Sequence, residues 1–204
     1  MKDQTTKIKN IKKWLGSGSI NIFGLPFSGK DTHGNELAVM LDGPLIGGGD
    51  ILRSELVPQH VTEAINNGNL APTDDYKEIV LPYLAQEKYS SKPLVLSSVG
   101  RWIGEERSVL EATESAGHPI KCVVYLHITN DEVWKRWKNN TRQRHDDNAE
   151  HILEKRFSEF EKKTIPVITE YRKLGLILEI DGAPAKSVVT AEIIDQLYKL
   201  TKQI

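Results

Sequence analysis

Two groups of residues in this chain could do chemistry together: a lysine framed by glycines near the start, and a set of arginines spread over the rest. Gly24-Leu25-Pro26-Phe27-Ser28-Gly29-Lys30 fits a G-x-x-x-x-G-K frame. An apolar run over 19–23 precedes it, and helical periodicity over 31–41 follows. Such a frame is built to hold phosphate. Glycines let backbone N–H groups turn inward around an anion. The helix that follows aims the positive end of its dipole at the same point. The lysine adds a mobile charge for the outer phosphates, which makes the segment a P-loop. The strict pattern wants Ser or Thr after the lysine; here Asp31 intervenes and Thr32 follows. Arg53, Arg101, Arg136, Arg144 and Arg156 supply permanently charged planar forks, the side chains best matched to phosphate oxygens. Phosphoryl transfer needs charge neutralisation and alignment more than covalent chemistry, and these residue types suit it.

The elements that position these residues alternate. Strands are expected at 19–23, 45–46, 93–97, 121–128 and 176–180. Helices are expected at 31–41, 50–57, 61–66, 105–116, 131–139 and 187–200, with another beginning at Thr73 as a capping residue. A long helix over 149–174 should be bent or broken by Pro166. The alternation implies an α/β domain with a parallel sheet covered on both faces and chemistry at the carboxyl ends of the strands. Residues 1–15 carry Lys2, Lys7, Lys9, Lys12 and Lys13, with Ile8, Ile11 and Leu15 at helical spacing. They read as an amphipathic helix packed on the domain, followed by the 16–19 glycine-serine loop.

The 204 residues, 27% charged and 39% hydrophobic, suit one compact domain. A net charge of −1 gives no global basic field for nucleic acid. The single Cys122 excludes an internal disulfide and, within an apolar run, reads as a buried thiol. No stretch is apolar enough to span a bilayer and the N-terminus lacks a signal-peptide core, so the expectation is a cytoplasmic monomer without membrane or nucleic-acid partners.

Read onward from the loop, the chain resembles the adenylate kinase family of nucleoside monophosphate kinases. Gly24 to Thr32 resembles the family's G-x-P-G-x-G-K-G-T, and Gly49-Asp50-Ile51-Leu52-Arg53 its G-D-x-L-R. Gly68-Asn69-Leu70-Ala71-Pro72 resembles G-x-L-V-P, and 96–101 takes the place of its strand plus D-G-F-P-R. Arg144-His145-Asp146-Asp147 resembles R-x-D-D; Arg156, Thr164, Pro166 and Tyr171 fit its R…T-x-P…Y helix; Asp181-Gly182 fits the loop before the last helix.

The resemblance implies a three-layer α/β/α P-loop fold with a central five-stranded parallel sheet, spanning 19–204 after the N-terminal helix and linker at 1–18. It implies a monophosphate-binding insert at about 47–76 and a short lid at about 138–148. It implies ATP-dependent transfer to a monophosphate, AMP first, giving two ADP. A related kinase with another anionic acceptor, or a nucleotide-binding protein with weak catalysis, stands as the alternative. Lys30, Arg101, Arg136, Arg144 and Arg156 would be catalytic. ATP would lie on Gly24, Pro26, Phe27, Ser28, Gly29, Lys30, Asp31, Thr32, Arg136 and Ala185. The acceptor would meet Gly48, Arg53, Leu70, Ala71, Gly100, Arg101, Glu105, Arg144 and Arg156. Mg2+ would come with ATP rather than on direct protein ligands, and the lid has no cysteine for zinc.

The chain also departs from the family. Phe27 and Asp31 replace loop glycines, Asp31 being expected to face outward in the first helical turn, where the dipole favours it. Ser97 stands where the family has an acid that supports Mg2+ through water. Gly48 replaces a hydroxyl residue near the acceptor base, and Glu105 replaces a glutamine that reads adenine. Glu105 either meets an amine or guanine edge or is a surface helix residue; His145 alone reads as a surface residue.

Overall fold

In the computed structural model, residues 2–54, 56–139 and 149–202 are described. Five parallel strands form one sheet: β1 (Ser19–Gly24), β2 (Leu45–Gly47), β3 (Leu94–Ser97), β4 (Ile120–His127) and β5 (Ile177–Asp181). Their order is β2-β3-β1-β4-β5, so the chain leaves the central strand β1 first to one side and then to the other. A crevice opens at such a reversal, beyond the carboxyl ends of the strands. The cradle follows β1 directly and therefore sits in it.

The strands read as continuous apolar runs because both faces are covered. Every residue of β1 is buried. One face buries Phe23, Leu96, Val123 and Tyr171, and the other Ile20, Ile22, Val124 and Ile193. The first face is covered by α5 (Thr73–Tyr83), α6 (Glu105–Ser115), α8 (Glu150–Glu159) and α9 (Ile165–Lys173). The second is covered by α1 (Lys2–Leu15), α2 (Lys30–Leu41) and α10 (Lys186–Leu200). The amphipathic α1 is thus part of the core. Ile11 and Leu15 are buried against α2 and α10, and Lys7 Nζ lies 3.0 Å from Asp195.

Short helices fill the remaining connections: α3 (Gly48–Ser54), α4 (Gln59–Asn66) and α7 (Asn130–Lys138). One local expectation is corrected. Thr73 is the first residue inside α5, whose N-cap is Pro72, and the cap makes no side-chain hydrogen bond. Proline has no N–H and a fixed φ, so Pro72 ends the preceding loop in extended geometry without help from a hydroxyl. The long helix over 149–174 is interrupted just ahead of Pro166, as expected: a π turn, Phe160–Thr164, separates α8 from α9. The missing proline N–H and the ring's clash with an upstream carbonyl are absorbed by one wider turn.

Candidate active site

The cradle is shaped by its backbone. Gly29, at φ 95°, is the N-cap of α2, a conformation that a side chain resists. Phe27 is also left-handed, at φ 61°, so the loop keeps the glycine geometry although the residue is not glycine. Its ring is half-buried and packs against the core. Ser28 Oγ, inside the loop, is buried without a protein partner.

Arg136, on α7, ties the cradle to the loop after β5. Its guanidinium donates to the carbonyls of Phe27 (3.1 Å), Ser28 (3.4 Å), Gly182 (2.7 Å) and Ala183 (3.2 Å), while Nε donates to Glu132 at 2.8 Å. Ala185 is the N-cap of α10 just beyond that loop. Behind the cradle, buried His33 is hydrogen-bonded through Nδ1 to Thr190 at 2.9 Å, and Thr190 donates to Glu36 at 2.6 Å. Burial holds the His33 imidazole below its usual pKa, so it is neutral near pH 7.

A second wall faces the cradle across the cleft. Lys30 and Asp31 share this cleft with Arg53, Arg101 and Arg156. Arg53 pairs with Asp50 at 2.6 Å on the short helix α3. Arg101 lies just past β3 in a loop fixed from below: Asn21, on β1, donates to Val99 O at 2.7 Å and accepts from Val99 N. Glu105 fixes the same loop from above. Its Oε2 accepts from the backbone N–H groups of Arg101 (2.7 Å) and Trp102 (2.9 Å). Glu105 is therefore not a surface helix residue; it is buried, and its Oε2 holds the Arg101 turn. Arg101 Nε is shut off from solvent and has no partner in the protein. Burial first, and the Arg156 guanidinium second, pull the Arg101 pKa down to about 10. Two like charges kept together with an unmet donor describe a site that waits for an anion.

Gly48 opens the acceptor side. A side chain there would meet the Tyr76 hydroxyl, 2.5 Å from where its Cβ would stand, and that hydroxyl accepts from Gly100 N at 2.9 Å. Leu70 N donates to Glu159 at 3.3 Å, and Ala71 O accepts from Trp102 Nε1 at 2.9 Å. Tyr76, Trp102 and Asn21 were missed in the sequence. Only Asn21 left a signal there, as a lone amide in an apolar strand.

Asp31 corrects its expectation. Its side chain is 20% exposed and turned inward, accepting from Ser97 Oγ at 2.6 Å and lying 3.9 Å from Lys30 Nζ. Two departures from the family pattern thus meet each other. Of the predicted residues, Lys30, Asp31, Arg53, Leu70, Ala71, Arg101, Glu105 and Arg156 converge on the cleft. Arg136 lies on the cradle's outer side. Arg144, with Arg142, His145, Asp146 and Asp147 of the expected lid, falls outside the described residues.

A family model described as an AAA domain matches residues 23–153. The chain is similar to an adenylate kinase of Rhodopirellula baltica, 30% identical over 183 residues that cover 87% of this chain and 94% of that protein. It is similar to one of Encephalitozoon cuniculi, 28% identical over 180 residues, 85% of this chain and 94% of that protein. A third, of Thermosipho melanesiensis, is 24% identical over 211 residues, 87% of this chain and 98% of that protein.

Proposed function

This chain belongs to the adenylate kinase family, and on that premise we propose that it transfers the terminal phosphoryl group of ATP to AMP, giving two ADP. The observation that carries the reading is Arg101, a cation with an unmet Nε donor beside Arg156, opposite Lys30 in one cleft. ATP lies with its phosphates in the 24–32 cradle and AMP with its phosphate on Arg53 and Arg101. An oxygen of the AMP phosphate attacks the γ-phosphorus as the bond to the β–γ bridging oxygen breaks. Charge spreads over the transferring oxygens, and Lys30 and Arg156 neutralise it from either side. Arg136 holds the two loops that meet the ATP side, and Glu105 with Asn21 holds the Arg101 turn in line. Arg144 and the 138–148 lid complete the enclosure and keep water from accepting the phosphoryl group.

The oxygen groups that share the cleft with Lys30, those of Asp31 and Ser97, are hard donors suited to Mg2+. Among the described residues no group of three or more His, Cys, Asp or Glu could hold a metal ion. Bound there, Mg2+ supplies neutralisation of the β- and γ-phosphate charge. We place the enzyme in the cytoplasm as a monomer, to be checked by light scattering. Among the described residues no helix is long and apolar enough to cross a membrane.

The test is incubation with ATP, Mg2+ and each of AMP, GMP, CMP and UMP, with diphosphate formation followed. Rapid ADP formation with AMP is expected. Turnover with a different monophosphate would reassign the acceptor pocket, and none at all despite ATP binding would refute the kinase reading.

A further inference from the structure

We propose that Asp31 is the protein's anchor for the divalent cation that accompanies ATP, acting through the cation's water shell, and that Ser97 holds Asp31 in place for it. The inference rests on the nucleotide-kinase reading of the cleft. A carboxylate in the first turn of a helix is stabilised by the dipole whichever way it points, and needs no partner. Asp31 has turned inward nonetheless. Ser97 reaches across from the end of β3, donates to Oδ1 at 2.6 Å, and leaves Oδ2 3.9 Å from Lys30 Nζ. The register that sets Ser97 beside Ile22 of β1 and Gly47 of β2 keeps this hydroxyl at the mouth of the sheet.

The carboxylate is therefore built into a cleft otherwise lined by Lys30, Arg53, Arg101 and Arg156. Against a bare polyphosphate it is repulsive at these distances. With a divalent cation between carboxylate and phosphate, the same charge becomes attractive. The donors point to the identity of the cation. The Asp31 carboxylate and the Ser97 hydroxyl that bonds to it offer hard oxygens. That matches Mg2+, which keeps most of its water and takes phosphate oxygens as its other ligands.

The test reads metal-linked affinity rather than turnover. Calorimetric titration with ATP, once with Mg2+ and once in EDTA, gives the ratio of the two dissociation constants. In Asp31→Asn the ratio should fall about ten- to hundredfold, because metal-free ATP binds more tightly and Mg·ATP less so. Ser97→Ala should give a smaller fall. The double variant Asp31→Ser with Ser97→Asp moves the carboxylate to the other end of the same hydrogen bond and should recover the ratio. Paramagnetic resonance of Mn·ATP should lose its protein-dependent line shape in Asp31→Asn alone. Parallel weakening of both affinities in Asp31→Asn, or an unchanged ratio with a wild-type melting curve, overturns the proposal. Absence of ATP binding in either form sinks the kinase reading with it, whereas a normal ratio without transfer to any monophosphate sinks that reading alone.

Discussion

Replacing Arg101 with methionine should make the protein more stable and less active. The guanidinium is held by burial and by Arg156 at a pKa of about 10, well below the ordinary arginine value. In the window between those values the unfolded chain binds the proton that the folded chain has lost, so stability rises with pH there. Below about 10 the folded state carries the whole penalty, which amounts to at most about 3 kcal/mol. The side chain keeps some contact with solvent, so about 1–3 kcal/mol is the expected gain on removing the charge while keeping the volume. For a chain of this size each kcal/mol is worth about 2–4 °C in Tm, so the melting point should rise by several degrees. Binding moves the other way. Losing one partner of a buried, hydrogen-bonded charge pair costs about 2–5 kcal/mol, or roughly 30- to several-thousandfold in kcat/KM for AMP. Arg53, more exposed and paired with Asp50, should lose less when truncated. The assay is a thermal melt beside coupled kinetics with AMP varied. A variant that melts below the parent, or keeps its AMP kinetics, refutes the argument that Arg101 is strained to receive an anion.

Other consequences follow from the same geometry. Leu15→Ala, at a fully buried site, should cost about 3 kcal/mol and lower Tm by roughly 6–12 °C, with nucleotide KM unchanged. His33 is held neutral by burial, so the unfolded histidine, near 6.5, protonates first and stability falls as pH drops below that value. The nearby Glu36 opposes this, while Lys186 and Arg136 reinforce it, and His33→Gln should flatten the acid limb of the stability–pH curve. Glu105→Ala releases the amides of Arg101 and Trp102, so KM for AMP should rise about tenfold while KM for ATP holds. An equal rise in both would mean that the whole cleft had collapsed.

The parts of the site that are continuous in sequence were the legible ones. The cradle announces itself because strand, glycine turn, lysine and helix are neighbours in the chain, and the five strands follow from buried apolar runs. What escaped depends on residues far apart. Ser97 and Asp31 are 66 positions apart, and each read alone is a defect in a pattern; only the sheet register makes them a pair. Glu105 read equally well as a base reader or a surface residue, because its partners are backbone amides, which no sequence displays. Tyr76 gave no hint that it fills the space left at Gly48. Thr73 offers a capping hydroxyl, but the rigid Pro72 beside it sets the helix start.

The packing of α1 against α10 has a consequence for how the molecule is made. Helix α1 has as its partner a helix that begins about 170 residues further along the chain, with Lys7 closing on Asp195. At ordinary translation rates that partner is roughly 10–40 s away. Until then Ile11 and Leu15 have no α10 surface to cover them, and the turn of His33 behind the cradle lacks Thr190. A nascent chain therefore carries its whole phosphate loop yet lacks the brace behind it. Nucleotide binding should appear abruptly once α10 has been made, and a rearranged chain in which α10 is synthesised directly before α1 should remove that delay.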